Sequence, residues 1–139
     1  MFDELRFRND TTPIAARKKG KWGYINMDNQ ILIPFKYDDA QEFSDSVTIV
    51  RVKNQWGVID GNGKTLIPFQ YDQVAELKNG VALVKKDNLF GLVNLANSFL
   101  IPVSYGKYQW MDEEIIRFEH NDQFGYYDVA NRKWIWKSE

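Results

Sequence analysis

A chain of 139 residues with 18 basic and 19 acidic side chains carries a net charge of −1, contains no cysteine and is 15% aromatic. Balanced charge argues against nucleic acid as a partner, because such binders carry a basic excess or stripe, and the lack of thiols excludes disulfides, thiolate metal sites and a cysteine nucleophile. One domain over 1–139 is expected, with no cofactor, and a cysteine-free composition suits the cytoplasm.

In chain order the first segment is a cap over 1–11. It holds "FDELRF" (Phe2 to Phe7), charged and without an apolar run, so neither a leader nor a membrane span is expected. The same stretch resembles "YDQVAEL" (Tyr71 to Leu77), one residue out of step. Four units follow, at approximately 12–45, 46–79, 80–112 and 113–139. Their period is 34 residues: Trp22-Gly23, Trp56-Gly57, Phe90-Gly91 and Phe124-Gly125 are evenly spaced, as are Pro34, Pro68 and Pro102, and Ile33, Ile67, Ile101 and Ile135.

The second unit reads most clearly. "SVTIVRV" (Ser46 to Val52) is β-branched and predicts a strand; "WGVI" (Trp56 to Ile59) predicts a second. "TLIPF" (Thr65 to Phe69) predicts a third, stopped by a residue with no N–H for the ladder. Asn26, Asp60, Asn94 and Asp128 open the link between second and third strands, and Asn29, Gly63, Asn97 and Asn131 stand three residues later. Asn and Asp bond back to nearby backbone, while Gly and Asn tolerate positive φ, so this is a hairpin turn written four times. No stretch has helical spacing with caps. The fold expected is all-β: four repeats, each a roughly three-stranded antiparallel meander, stacked as a short open array, with a closed propeller-like ring as the alternative. The "YDxV" segments remain open between a tight turn and a short extra strand. Trp22 and Trp56 are the large fillers that stacked neighbours bury, Trp56 having neighbours on both sides.

The units "KWGYINMDNQILIPFKYDDAQEF" and "QWGVIDGNGKTLIPFQYDQVAEL" resemble the bacterial WG-repeat family, also called KWG repeats. The resemblance covers nearly the whole chain and implies an all-β repeat protein. It brings no shared catalytic residues. The later copies depart from the pattern, with Phe90 and Phe124 for Trp, Gly106 for Asp and Trp136 for Pro.

Candidate chemistry is sparse. His120 is the single histidine and stands in a polar link, without the company that a base or a zinc site needs. "DGNGK" (Asp60 to Lys64) departs from a calcium loop at Lys64, Thr65 and Tyr71, and reads as a hairpin turn. Asp38 and Asp72 recur at one position, which points to turn capping rather than acid–base work. No catalytic residue and no metal ligand is expected.

Two features point to a partner. Arg17, Arg51 and Lys85 share a repeat position that Glu119 breaks; they read either as a cationic contact row or as a solvated strand face. Trp110 falls where other copies carry Glu42 and Glu76, which predicts an exposed Trp beside Tyr108. That pair reads either as an interface hot spot or as a ring folded over an open end. Tyr108 falls on the small position of Ala40 and Val74, and Met111 on the core position of Phe43 and Leu77. The function expected is a non-enzymatic protein-binding module, such as a small immunity or inhibitor protein that masks a toxin or enzyme. Glycan or small-ligand binding through Tyr105, Tyr108 and Trp110 is one alternative, and a structural spacer is another. Neither nucleic acid nor a membrane is an expected partner.

Overall fold

The computed structural model describes residues 1–6 and 13–138, and these form sixteen β-strands in four antiparallel four-stranded sheets. The chain divides into two compact units, Met1–Tyr71 and Asp72–Glu139, with two sheets in each.

In the first unit, β1 (Glu4–Arg6), β2 (Ile14–Lys18), β3 (Lys21–Ile25) and β4 (Ile31–Tyr37) form sheet 1 in sequence order. Sheet 2 is β5 (Asp39–Ala40), β6 (Val47–Val52), β7 (Gln55–Asp60) and β8 (Thr65–Tyr71). In the second unit, β9 (Gln73–Lys78), β10 (Val81–Lys86), β11 (Leu89–Asn94) and β12 (Phe99–Tyr105) form sheet 3. Sheet 4 is β13 (Lys107–Trp110), β14 (Ile115–His120), β15 (Gln123–Asp128) and β16 (Lys133–Lys137).

Each sheet therefore has four strands rather than three. The fourth comes from the segment that the sequence left open: the stretches after Tyr37-Asp38, Tyr71-Asp72 and Tyr105-Gly106 become the first strands β5, β9 and β13. The N-terminal stretch plays that part for sheet 1, where Leu5 stands opposite Ala16. It completes the first sheet, not the last. The rest of the expected cap, from residue 7 onward, lies outside the described residues.

Local chemistry explains the repetition. Asn26 Oδ1 accepts the N–H groups of Asp28 and Gln30, Asp60 Oδ1 those of Asn62 and Lys64, and Asn94 Oδ1 those of Ala96 and Ser98, all at 2.9–3.0 Å. Asn29, Gly63 and Asn97 then take the left-handed conformation at φ 63°, 83° and 62°. The Gly of each aromatic-Gly pair lets two strands approach. A Cβ on Gly57 would lie 2.5 Å from the Ile67 carbonyl oxygen, and one on Gly91 2.6 Å from that of Ile101.

The first unit is built on Trp22, Tyr24, Ile33, Tyr37, Phe43 and Val50. Its two sheets are joined by a polar seam. The Tyr24 hydroxyl donates to the Gln41 carbonyl at 2.7 Å, and Thr48, itself buried, donates to the same oxygen at 2.8 Å. Burial pushes the Tyr24 phenol well above its ordinary range, so it stays a neutral donor. The second unit is built on Leu83, Leu92, Ile101, Ile116, Phe118 and Tyr127. Trp22 is buried as expected, whereas Trp56, expected in the core, is only half-buried. The Arg6 guanidinium lies 4.1 Å above the Trp22 ring while bonding Asp39 at 3.0 Å and the Ala40 carbonyl at 2.8 Å, so it seals Trp22 from above.

Candidate interaction surface

The cationic row serves internal packing. Arg17 stands opposite Trp22, Arg51 opposite Trp56 and Lys85 opposite Phe90 in their antiparallel ladders. Each places its charge over that ring, at 5.9, 5.7 and 5.5 Å from the centroid. These distances are those of cation–π contacts. The fourth copy keeps the contact by another route. Glu119 stands opposite Phe124, and Arg117 reaches across to lie 4.4 Å over that ring. Arg117 also bonds Glu119 at 2.7 Å, which holds the Glu119 carboxyl below its usual range. In sheets 1 to 3 the repeat position thus covers the aromatic of its own sheet, and in sheet 4 Arg117 does so in its place.

Trp110 is half-buried, not exposed. Its indole N–H donates to Glu76 at 2.7 Å, and the Lys78 ammonium lies 4.3 Å from its ring centroid. Glu76 is the residue that occupies the Trp110 position one repeat earlier, so equivalent places on sheets 3 and 4 meet. A second glutamate there would face Glu76 as a like charge; the indole offers a donor instead. Tyr108 is likewise absorbed, its ring packing edge-on against Phe90 at 4.9 Å. Burial first, and then Glu76, raises the Tyr108 phenol above its ordinary range. Tyr105 packs against Phe118 at 5.3 Å and Trp134 at 6.0 Å. Met111, expected in the core, is 49% exposed. β13 ends at Trp110, and Asp112 Oδ1 then accepts the N–H groups of Glu114 and Ile115 at 2.8 Å each, a turn that carries Met111 outward.

The other candidates have structural duties. Asp60 closes its own turn, as given above. Asp38 and Asp72 each accept a backbone N–H from a neighbouring hairpin, that of Lys53 and Asp87 respectively. The Lys21 ammonium donates to Asp38, and this bond, more than the backbone one, holds the Asp38 carboxyl below its usual range. His120 is half-buried at the end of β14. Among the described residues no group of three or more His, Asp or Glu is placed to hold a metal.

The largest departure from the repeat lies on β16, and the sequence reading missed it. In sheets 1 to 3, Ile33, Ile67 and Ile101 stand opposite Tyr24, Val58 and Leu92, and all three isoleucines are buried. The same pairing in sheet 4 would set Ile135 opposite Tyr126. Instead Trp136 stands opposite Tyr126 and Trp134 opposite Tyr127. The cause is the turn. Asp128 accepts the Asn131 N–H at 3.1 Å and its side-chain amide at 2.7 Å, and the left-handed residue is Arg132 at φ 56°, one place later than in the other copies. The pairing is one residue out of step with the other sheets, across a bulge at Ile135. Trp134 turns in against Phe118 and Tyr127, and Val129 is buried, whereas its counterpart Met27 is 77% exposed. Ile135 is 53% exposed, and Trp136 is 51% exposed with its ring resting on Phe124 at 5.3 Å. Trp136 standing where Pro34, Pro68 and Pro102 stand was the signal in the sequence.

The comparisons agree with this architecture. The model of the WG containing repeat matches residues 22–56 and 56–90. No curated protein matches the sequence. Among solved structures, Kluyveromyces lactis Hsv2 is similar over 96% of this chain and 50% of that chain, with 10% identity and a TM-score of 0.55. KlHsv2 with loop 6CD replaced by a Gly-Ser linker gives 96%, 51%, 10% and 0.57 on the same measures. PorZ, described as an essential bacterial surface component of the type-IX secretion system of Porphyromonas gingivalis, covers 100% of this chain and 23% of its own, at 10% identity and a TM-score of 0.49. The chain spans about half the length of the Hsv2 chains, and at such identity the likeness is one of fold alone. With matched repeats at its centre and the same landmarks continuing at the same period beyond them, the chain belongs to the WG-repeat family.

Proposed function

We propose that this chain is a non-enzymatic protein-binding module whose contact strand is β16. The observation that carries the reading is the contrast among the last strands of the four sheets. β4, β8 and β12 contain Pro34, Pro68 and Pro102, and proline offers no N–H to an incoming chain. β16, also at the edge of its sheet, has no proline. An extended segment of another protein can add to such an edge through main-chain hydrogen bonds. Ile135 and Trp136 supply apolar area, and tryptophan is enriched among residues that dominate binding energy. Lys133 and Lys137 flank them, so an acidic and apolar segment fits best and self-pairing is discouraged.

The finer form of the reading is an inhibitor or immunity-type protein that masks a toxin or enzyme. The repeated aspartates, spent on turns, and the solitary His120 support the non-enzymatic part. Arg17, Arg51, Lys85, Tyr108 and Trp110 belong to the rim of the proposal, since each is half-buried against an internal partner, whereas Ile135 and Trp136 are exposed.

The test is affinity capture from the native cell with Ile135→Lys and Trp136→Ser beside the wild type. Both variants should melt within a few degrees of wild type, and both should lose the partner that wild type recovers. A partner retained by both variants moves the contact away from β16 and overturns the reading.

A further inference from the structure

In three of the four sheets an aspartate accepts a backbone N–H from the hairpin between the second and third strands. Asp3 accepts from Gly20 at 3.1 Å, Asp38 from Lys53, and Asp72 from Asp87 at 2.9 Å. Each of these aspartates also donates its own backbone N–H to the strand beside it, to the carbonyls of Arg17, Arg51 and Lys85. Sheet 4 repeats the hairpin, with Asn121 and Asp122 both left-handed at φ 52° and 66°. The residue in the aspartate's place is Gly106, which has no side chain. Beside that turn lies a pocket of about 260 Å³, lined by Ser104, His120, Asn121, Phe124, Lys137 and Ser138 among others.

We infer that this pocket receives a carboxylate from a bound polypeptide, the side chain of an aspartate or glutamate, at the place where the other three sheets use their own. The chain states the ligand chemistry itself, three times over. The Asn121 N–H stands where the Lys53 and Asp87 N–H groups bind Asp38 and Asp72. Lys137 adds a positive charge. The Ser138 hydroxyl oxygen accepts the Phe124 N–H at 2.8 Å and keeps its proton to donate. His120 borders the Gly106 side, its Nδ1 lying 3.2 Å from where a Cβ would be. Drug-sized ligands fill roughly 300–1,000 Å³, so this volume suits a side-chain head group instead. Asp122 and Glu119 oppose an incoming acid; Glu119 is already paired with Arg117. Lys137 also ends β16, so the source of the carboxylate rests on the protein-binding reading, whereas the receptor does not.

The test is an amide NMR titration of the full chain with sodium acetate at constant ionic strength, with acetamide and inorganic phosphate as further probes. The Asn121 amide should shift and saturate with acetate in the millimolar range, and acetamide should leave it unmoved. Gly106→Asp supplies the missing carboxylate, so its Asn121 amide should start near the acetate-bound position and the response should fall at least about tenfold. Lys137→Gln, which keeps the backbone intact, should weaken acetate several-fold. Asp122→Asn should tighten it. Ile135→Lys should leave the titration unchanged, which separates this receptor from the β16 contact. An Asn121 amide that ignores acetate overturns the inference, as does one that answers phosphate alone or that responds equally in Gly106→Asp.

Discussion

Sheets 1 to 3 and sheet 4 are written with the same landmarks, yet they bury different residues. The difference begins at a single backbone conformation. Where Asn29, Gly63 or Asn97 turns left-handed, the following isoleucine enters the core; where Arg132 does so instead, that isoleucine faces water and a tryptophan takes its place. The slip runs through a bulge between Trp134 and Trp136, so Trp134 joins the core while Ile135 and Trp136 both stay exposed. The close approach at the repeated glycine changes its partners as well. A Cβ on Gly91 would strike the Ile101 carbonyl oxygen, whereas one on Gly125 would lie 2.8 Å from the Trp134 ring and 3.0 Å from the Trp136 carbonyl oxygen. What a repeat position does is therefore set by its turn as much as by its residue.

Cutting the same landmark in two sheets should have very different costs. Ile101→Ala should cost about 2–5 kcal/mol, the range for a buried isoleucine. Ile135→Ala should stay within about 0.5 kcal/mol, as an exposed change does. Urea unfolding of the two variants reads the difference, and equal costs would contradict the slip.

Trp110→Glu probes the seam of the second unit. It restores the residue of the other copies, but it removes the donor to Glu76 and sets two carboxylates together. The expected loss is about 1–3 kcal/mol, the cost of stranding a partly buried charged group. A melt unchanged from wild type would mean that the indole bond contributes nothing.

The smallest effect should come from acid. The Asn131 side chain first, and its backbone second, hold the Asp128 carboxyl below its usual range. A carboxyl lowered in the folded state adds stability above the unfolded value of about 3.9, and that stability is lost as pH falls through the folded value. Wild type should therefore exceed Asp128→Asn by a constant margin at neutral pH, with the gap closing below about pH 4. A gap that widens in acid would reverse the sign and remove Asp128 as the anchor of the shifted turn.

Much of this was legible in the sequence because it depends on local residue chemistry. The period, the strands around Ser46 to Val52 and Trp56 to Ile59, and the Asn/Asp turns all follow from neighbours along the chain. The role of Trp110 was not legible, because its partner Glu76 lies one full repeat away and meets it only when two sheets pack. The row of Arg17, Arg51 and Lys85 looked outward in sequence, since the pairing that sets each charge over a ring is a cross-strand fact. β16 was hidden for a subtler reason. Asn131 sits at the place of the left-handed asparagines, and nothing in its identity says that Asp128 will hold it while Arg132 turns instead.

The register of β16 sets sheet 4 apart, and cross-strand amide and Hα contacts measured by NMR read it without intermediary. The prediction is that Tyr127 stands opposite Trp134 and Tyr126 opposite Trp136. Contacts that set Tyr127 opposite Lys133 and Tyr126 opposite Ile135, as the first three sheets are paired, would contradict it, and would return Ile135 to the core and Trp134 to water.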